Sequence, residues 1–238
     1  MNKNEKNSMR NVAMLKMTFN LYFLIATNFL FLVSIIFPVL WLTSFSRSIV
    51  DIVAVGLLFP GLAALTSCTL KFRESGNSVK FAILKHFAEG FRKNVVDTLK
   101  YCFVIGLVAF VFMFNMDLHG VEMPLWLGGS LAVLTALTAV ITTYMMVVAT
   151  KFQFRIRDLL RVAIYCLLMH FGKTLKVLGL YMLLLFVWVW GGTFSLLMLV
   201  STLVYLIVHV VYPVLTDVQA NFVTPVGDEE KKEAFGDE

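Results

Sequence analysis

The sequence predicts an all-α membrane protein with about six transmembrane helices and two amphipathic helices on the cytoplasmic face. Three observations lead there. Of 238 residues, 59% are hydrophobic and only 15% are charged, against roughly half apolar and a quarter charged in soluble chains. The charges are clustered, and the runs between them approach the roughly 20 apolar residues that a hydrocarbon core requires. Finally, one alternating topology places nineteen of the twenty basic residues on a single side.

Met1 to Lys16 is polar, and the apolar run after it is long enough to span, so the first helix is expected to stay as an anchor and not to be cleaved. Residues 1–216 read as one polytopic domain with spans near 21–45, 50–71, 98–116, 125–150, 174–191 and 194–215. The third and fifth spans are short in apolar residues. Each is lengthened by a Thr-Leu-Lys triplet, Thr98 to Lys100 and Thr174 to Lys176, whose lysine can reach the headgroups while its stem stays in hydrocarbon.

With the N-terminus in the cytoplasm, only Arg47 among the basic residues falls outside, and the outer loop Asp117 to Glu122 is acidic. Positive loops retained inside produce this asymmetry. Insertion topology therefore accounts for the pI of about 9.1, and no nucleic-acid partner is needed. Trp41, Trp126, Trp188 and Trp190 fall at expected outer helix ends, whereas Tyr22, Tyr101, Tyr144 and Tyr212 fall towards inner ends. Indole rings resting at the headgroup level give such a sorting. Cys68, Cys102 and Cys166 form no CxxC pair and lie near cytoplasmic ends, so neither a disulfide nor a metal site is expected.

Two segments between spans are amphipathic. Over residues 77–95, Phe81, Leu84, Phe87, Ala88, Phe91 and Val95 share one helical face, and Lys85, Glu89, Arg92 and Lys93 share the other. Residues 152–171 open with Arg155, Arg157, Asp158 and Arg161 and continue as the apolar run Val162 to Phe171. That run is too short to cross. Burial beneath the bundle is expected over a re-entrant course, whose backbone polar groups need protein or water around them. The basic face formed by Lys85, Arg92, Lys93, Arg155, Arg157 and Arg161 suits anionic headgroups, making the lipid bilayer itself the first partner. Superimposing the two Thr-Leu-Lys triplets sets an offset of 76 residues and divides the chain into two similar units. Both units enter from the outside and end there, the pattern of a parallel duplication.

The stretch FPGLAALTSCTLKFRE, Phe59 to Glu74, followed by the Phe-rich HFAEGFRKN and a membrane helix, resembles the YesL-like family of bacterial integral membrane proteins of unknown function. Members carry a Gly-Pro-Ala-like turn where this chain has Phe59-Pro60-Gly61, and the resemblance runs from about Leu15 to Pro213. It implies a multi-pass protein of the bacterial cytoplasmic membrane, often encoded beside carbohydrate uptake systems. It supplies no catalytic residues. Partners implied in this way are subunits of a carbohydrate ABC transporter or a membrane sensor.

Each candidate position has a plainer competitor. His209 is ionisable within the last span, which suggests a proton relay or ligand contact, but a neutral histidine bonded to a neighbouring helix is the commoner arrangement. Asn28, and Asn20 before it, face the same choice. Pro60-Gly61 and Pro38 interrupt helices and either line a pathway or shape packing. Gly128, Ala132 and Ala136 recur at intervals of four and offer a close-packing face. HExxH, GxSxG and P-loop frames are absent from the sequence. The expectation is a non-enzymatic protein without cofactor, an accessory or regulatory partner of a bacterial membrane system, the alternative being a small-solute carrier or channel. Residues 217–238 are acidic and read as a disordered cytoplasmic tail, which leaves both termini inside.

Overall fold

The computed structural model describes residues 18–36, 49–75, 82–96, 98–99 and 124–223. Those residues are helical apart from short connections. α1 is Thr18–Ile36, α2 is Ile49–Ser75 and α3 covers residues 83–96. They are followed by α4, Leu125–Lys151, α5, Ile156–Met169, and α6, Phe171–Phe222.

Among the described residues four stretches are long and apolar enough to cross a membrane: Thr18–Ile36, Trp126–Lys151, Phe171–Gly192 and Leu197–Phe222. They coincide with the first, fourth, fifth and sixth expected spans. α2, at the second expected span, has the length to cross, 27 residues, with Lys71, Arg73 and Glu74 in its last turns. The third expected span lies outside the described residues. The last two spans are continuous in α6 and separated at Gly192, with φ 67° and ψ −175°. Only glycine adopts this backbone without strain, so the Gly191-Gly192 pair is where the helix reverses.

Inside an apolar helix, hydroxyls need acceptors, and the threonines find them along their own backbone. Thr135, Thr142 and Thr143 donate to the carbonyls of Leu131, Thr138 and Ala139 at 2.7–2.8 Å. α4 ends where Phe152 turns extended, its N–H still bonded to the Val148 carbonyl, and three residues later α5 folds back along α4. α5 in turn ends at His170 (φ −111°, ψ 45°), whose N–H reaches the Cys166 carbonyl, and α6 begins at the next residue.

The core lies between α4, α5 and the second half of α6. Tyr144, Val147 and Val148 of α4 pack against Leu159, Val162 and Cys166 of α5 and Val211, Leu215 and Val218 of α6, with Ala64 and Leu65 of α2 completing the cluster. A smaller cluster joins Phe23 of α1, Cys68 of α2 and Ile83 of α3. α1 runs antiparallel to α2: Phe23 stacks on Phe72 at 4.0 Å, while eleven residues on, Ser34 and Phe31 meet Gly61. Elsewhere the helices present apolar side chains outward. Over Phe171–Gly192 Val177 alone is buried, and Met182, Leu183, Phe186, Val189 and Trp190 are exposed. In water such a face would drive aggregation; against lipid tails it costs nothing.

α2 and α4 share a register. Ile49 and Leu125 open them and Ser75 and Lys151 close them, each pair 76 positions apart. At that same separation Ala64 and Val140, Cys68 and Tyr144, and Leu70 and Met146 are all buried, as are Ile83 and Leu159, and Phe87 and Ala163, on α3 and α5.

Two boundaries differ from the sequence reading. An acidic tail is expected from residue 217, yet α6 runs on to Phe222, because Val218 is fully buried and Phe222 meets the edge of Tyr165 at 5.0 Å. Residues 224–238 lie outside the described residues. On α3 the packed stripe is not the one the aromatic spacing suggests. Ile83, Phe87, Gly90 and Asn94 face the bundle, whereas Leu84 and Ala88 face away. Gly90 wins a packing position because α3 crosses α2 closely there: a Cβ at Gly90 would sit 3.1 Å from Ser67 Cβ and 3.4 Å from Ala64 Cα.

Candidate functional site

Polar groups concentrate at the end of the bundle where α1 begins and α2, α4 and α6 finish. Each helix exposes its last carbonyls there, so basic side chains are favoured at α2, α4 and α6. Lys151 Nζ donates to Glu74 Oε1 at 2.8 Å and lies 5.5 Å above the Tyr212 ring. Arg73 stacks on the same ring at 4.2 Å and donates from NH1 to His209 Nδ1 at 2.8 Å and to the His209 carbonyl at 3.3 Å. These contacts tie α2, α4 and α6 around one tyrosine. A guanidinium has only donors, so Nδ1 of His209 is the acceptor and its ring proton resides on Nε2.

A second cluster joins α2 to α3. Lys71 Nζ donates to Glu89 Oε2 at 3.1 Å and reaches His86 Nδ1 at 3.3 Å. The hydrogen bond from Lys71 is the main reason the Glu89 carboxyl lies below the ordinary carboxylate range. Beside it opens a pocket of about 520 Å³, lined by Ser67 and Lys71 of α2, Glu89, Gly90, Arg92 and Lys93 of α3, and Thr150 of α4.

A third contact closes the α5–α6 joint. His170 Nε2 is 3.1 Å from Asp217 Oδ2 but is not aligned for a hydrogen bond, and it is buried with no other polar partner among the described residues. Nearby, the Tyr144 hydroxyl and Thr174 Oγ1 lie 3.1 Å apart, and Thr174 also donates to the Leu167 carbonyl at 3.2 Å. The Thr of the second Thr-Leu-Lys triplet is thus a three-helix contact. Burial of the Cys166 thiol in the same region pushes it up to about 11.

The singled-out residues do not converge. Asn28 is buried in mid-bundle, its Oδ1 accepting the backbone N–H of Ser201 at 3.3 Å, while Ser201 Oγ donates to the Leu24 carbonyl at 3.0 Å. Asn20 is half-buried at the start of α1. Pro60 and Gly61 are buried in α2, and the space beside Gly61 is taken by Ser34 and Phe31. His209 is exposed at the basic end against Arg73. Lys85, Arg92, Lys93, Arg155, Arg157 and Arg161 are all exposed on α3, α5 and the approach to α5, with Arg161 3.7 Å from Asp158. Ala132 is exposed and Gly128 and Ala136 half-exposed, and α4 packs further along, through Val140, Tyr144 and Val147. Pro38 lies outside the described residues. Among those described, no group of His, Cys, Asp and Glu is placed to hold a metal ion.

Arg73, Glu74, Lys151, Tyr212, His170 and Asp217 were missed as site residues. Their signal in the sequence was position, with a charge or tyrosine near a helix end, but nothing in spacing paired them with one another or with His209, which lies 136 residues from Arg73. Compared with family models, with curated proteins and with solved structures, the chain matches none.

Proposed function

We propose that the chain is a six-span protein of the bacterial cytoplasmic membrane, YesL-like in kind, with both termini in the cytoplasm, serving as a non-enzymatic accessory partner of a membrane system such as carbohydrate uptake. Its polar end is then the cytoplasmic face, where α3 and α5 lie along the inner interface and offer basic residues to lipid and to partners. The placement of α1 and α6 supports the even number of crossings, because α1 begins at the end where α6 finishes. α3 packs at that end, whereas α4 begins at the other, which supports the reading with one further span between them. The shared 76-residue register of α2–α3 and α4–α5 supports a parallel duplication, each unit a span followed by an amphipathic helix.

One observation carries the accessory reading over a carrier: the mid-bundle positions a pathway would use, Asn28 and Gly61, are packed shut. Asn28 is 7% exposed and occupied by Ser201, and Gly61 is filled against Ser34 and Phe31. The test is crosslinking in the native membrane, gentle extraction and identification of co-purifying chains. Stoichiometric recovery of transporter subunits or a sensor is expected. Recovery of this chain alone would overturn the accessory role and put solute flux in liposomes next.

A further inference from the structure

We infer that the pocket between α2, α3 and the end of α4 is a binding site for a phosphate group. Its chemistry is that of an anion site with spare positive charge. Lys71, Arg92 and Lys93 line it against a single carboxylate, Glu89. That carboxylate is taken up by Lys71 at 3.1 Å, which leaves Arg92 and Lys93, adjacent on the exposed side of α3, with no acidic partner among the described residues. Ser67 and Thr150 add hydroxyls to the wall. A guanidinium beside an ammonium suits an oxyanion, the first as a planar fork and the second as a compact charge.

The second unit acts as an internal control. Positions 76 residues further on from Lys71, Arg92 and Lys93 hold Val147, Leu168 and Met169. Val147 is fully buried, and Leu168 and Met169 are exposed apolar residues. A span packed against an amphipathic helix therefore forms without these three charges, and the fold alone does not explain their presence in the first unit. Gly90 matters to the opening as well: its counterpart at the same separation is Cys166, and a side chain at Gly90 would fill the floor against Ser67. The carbonyl end of α4 disfavours an anion at Thr150, so the phosphate belongs against α3. Leu84 and Val96 are exposed on the same helix, which puts a lipid headgroup and a soluble phosphoester equally within reach.

Native mass spectrometry of the detergent-purified full chain tests this, titrated separately with short-chain phosphatidic acid and with glycerol 3-phosphate, diacylglycerol serving as the phosphate-free control. One phosphate-bearing probe is expected per chain. The Arg92→Gln, Lys93→Gln double variant should bind it at least tenfold more weakly, since each substitution removes a charge-assisted hydrogen bond to the phosphate. Both side chains are exposed, so unfolding is not the expected cause. Glu89→Gln should move affinity the other way, by removing the carboxylate and releasing Lys71. A control of equal charge change, Lys85→Gln with Arg157→Gln, should leave binding unaltered. Retention of phosphatidic acid alone assigns a lipid headgroup, and retention of glycerol 3-phosphate as well assigns a soluble phosphoester. Binding of neither, equal binding of diacylglycerol, or equal loss in both double variants overturns the site, with no bearing on the topology or the accessory role.

Discussion

Asn28 on α1 accepts a hydrogen bond from the backbone N–H of Ser201 on α6, 3.3 Å away and 173 residues later in the chain. The bond is buried, and Ser201 returns one from its hydroxyl to Leu24. In a bilayer there is little hydrophobic drive between helices, so interhelix contacts of this type and close packing carry association. Asn28→Leu should therefore lower stability by about 0.5–1.5 kcal/mol, read as a lower thermal midpoint in detergent. Asn20→Leu, at a half-buried site on the same helix, should change it little.

Gly90 makes a comparable claim about shape. Because a Cβ there already crowds Ser67 and Ala64, Gly90→Leu must push α3 off α2, and overpacking of this sort costs about 1–3 kcal/mol. Gly129, with nothing within 4 Å, should accept leucine at almost no cost. Equal melting of the two variants would show that α3 does not dock where described.

At Gly192 the backbone itself is decisive. With φ 67° and ψ −175°, Gly192→Ala should cost about 1–3 kcal/mol, whereas Gly179→Ala, on an open helical face, should be neutral or slightly stabilising. Thermal unfolding of the pair measures the reversal between the last two spans.

Cys166 is fully buried, and its thiol is pushed up to about 11. The thiolate is the reactive form, so a maleimide at neutral pH should label Cys166 only after denaturation. The folded value is raised, so the contribution to stability is complete below the ordinary value of 9.0 and is lost as pH rises towards about 11. Cys166→Ala should flatten stability over that alkaline window.

Glu89 has the opposite sign. Its folded value is depressed, chiefly by the Lys71 hydrogen bond, so its support for the α2–α3 contact is present above the ordinary 4.5 and is lost as pH falls through the lowered value. The protection factors of α3 amides, referred to the intrinsic exchange rate at each pH, should fall on acidification, and Glu89→Gln should remove that dependence.

Helical class and most span positions were legible because a bilayer imposes a length and an apolar composition that a linear sequence records directly. Trp126–Lys151 and Phe171–Gly192 fall within a few residues of where hydropathy puts them. The basic face of α3 was legible too, since charge cannot be buried cheaply. Its packed stripe was not: helical spacing ranks Leu84 above Gly90, but the crossing against Ser67 rewards the absence of a side chain. The small-residue series Gly128, Ala132 and Ala136 continues at the same spacing into Val140 and Tyr144, where α4 is buried. Pairings such as Arg73 with His209 or His170 with Asp217 depend on three-dimensional proximity at one end of the bundle. No periodicity encodes them.

The topology is the central claim, and cysteine accessibility tests it most directly. In a chain whose three cysteines are replaced by alanine, single substitutions Lys93→Cys, Gln153→Cys and Trp190→Cys place thiols on α3, in the α4–α5 connection and beside the Gly192 reversal. An impermeant thiol reagent on intact cells should label the Trp190→Cys protein alone, with Lys93→Cys and Gln153→Cys reacting only after the membrane is opened. Outside labelling at 93 or 153, or protection of 190 until permeabilisation, would contradict the account.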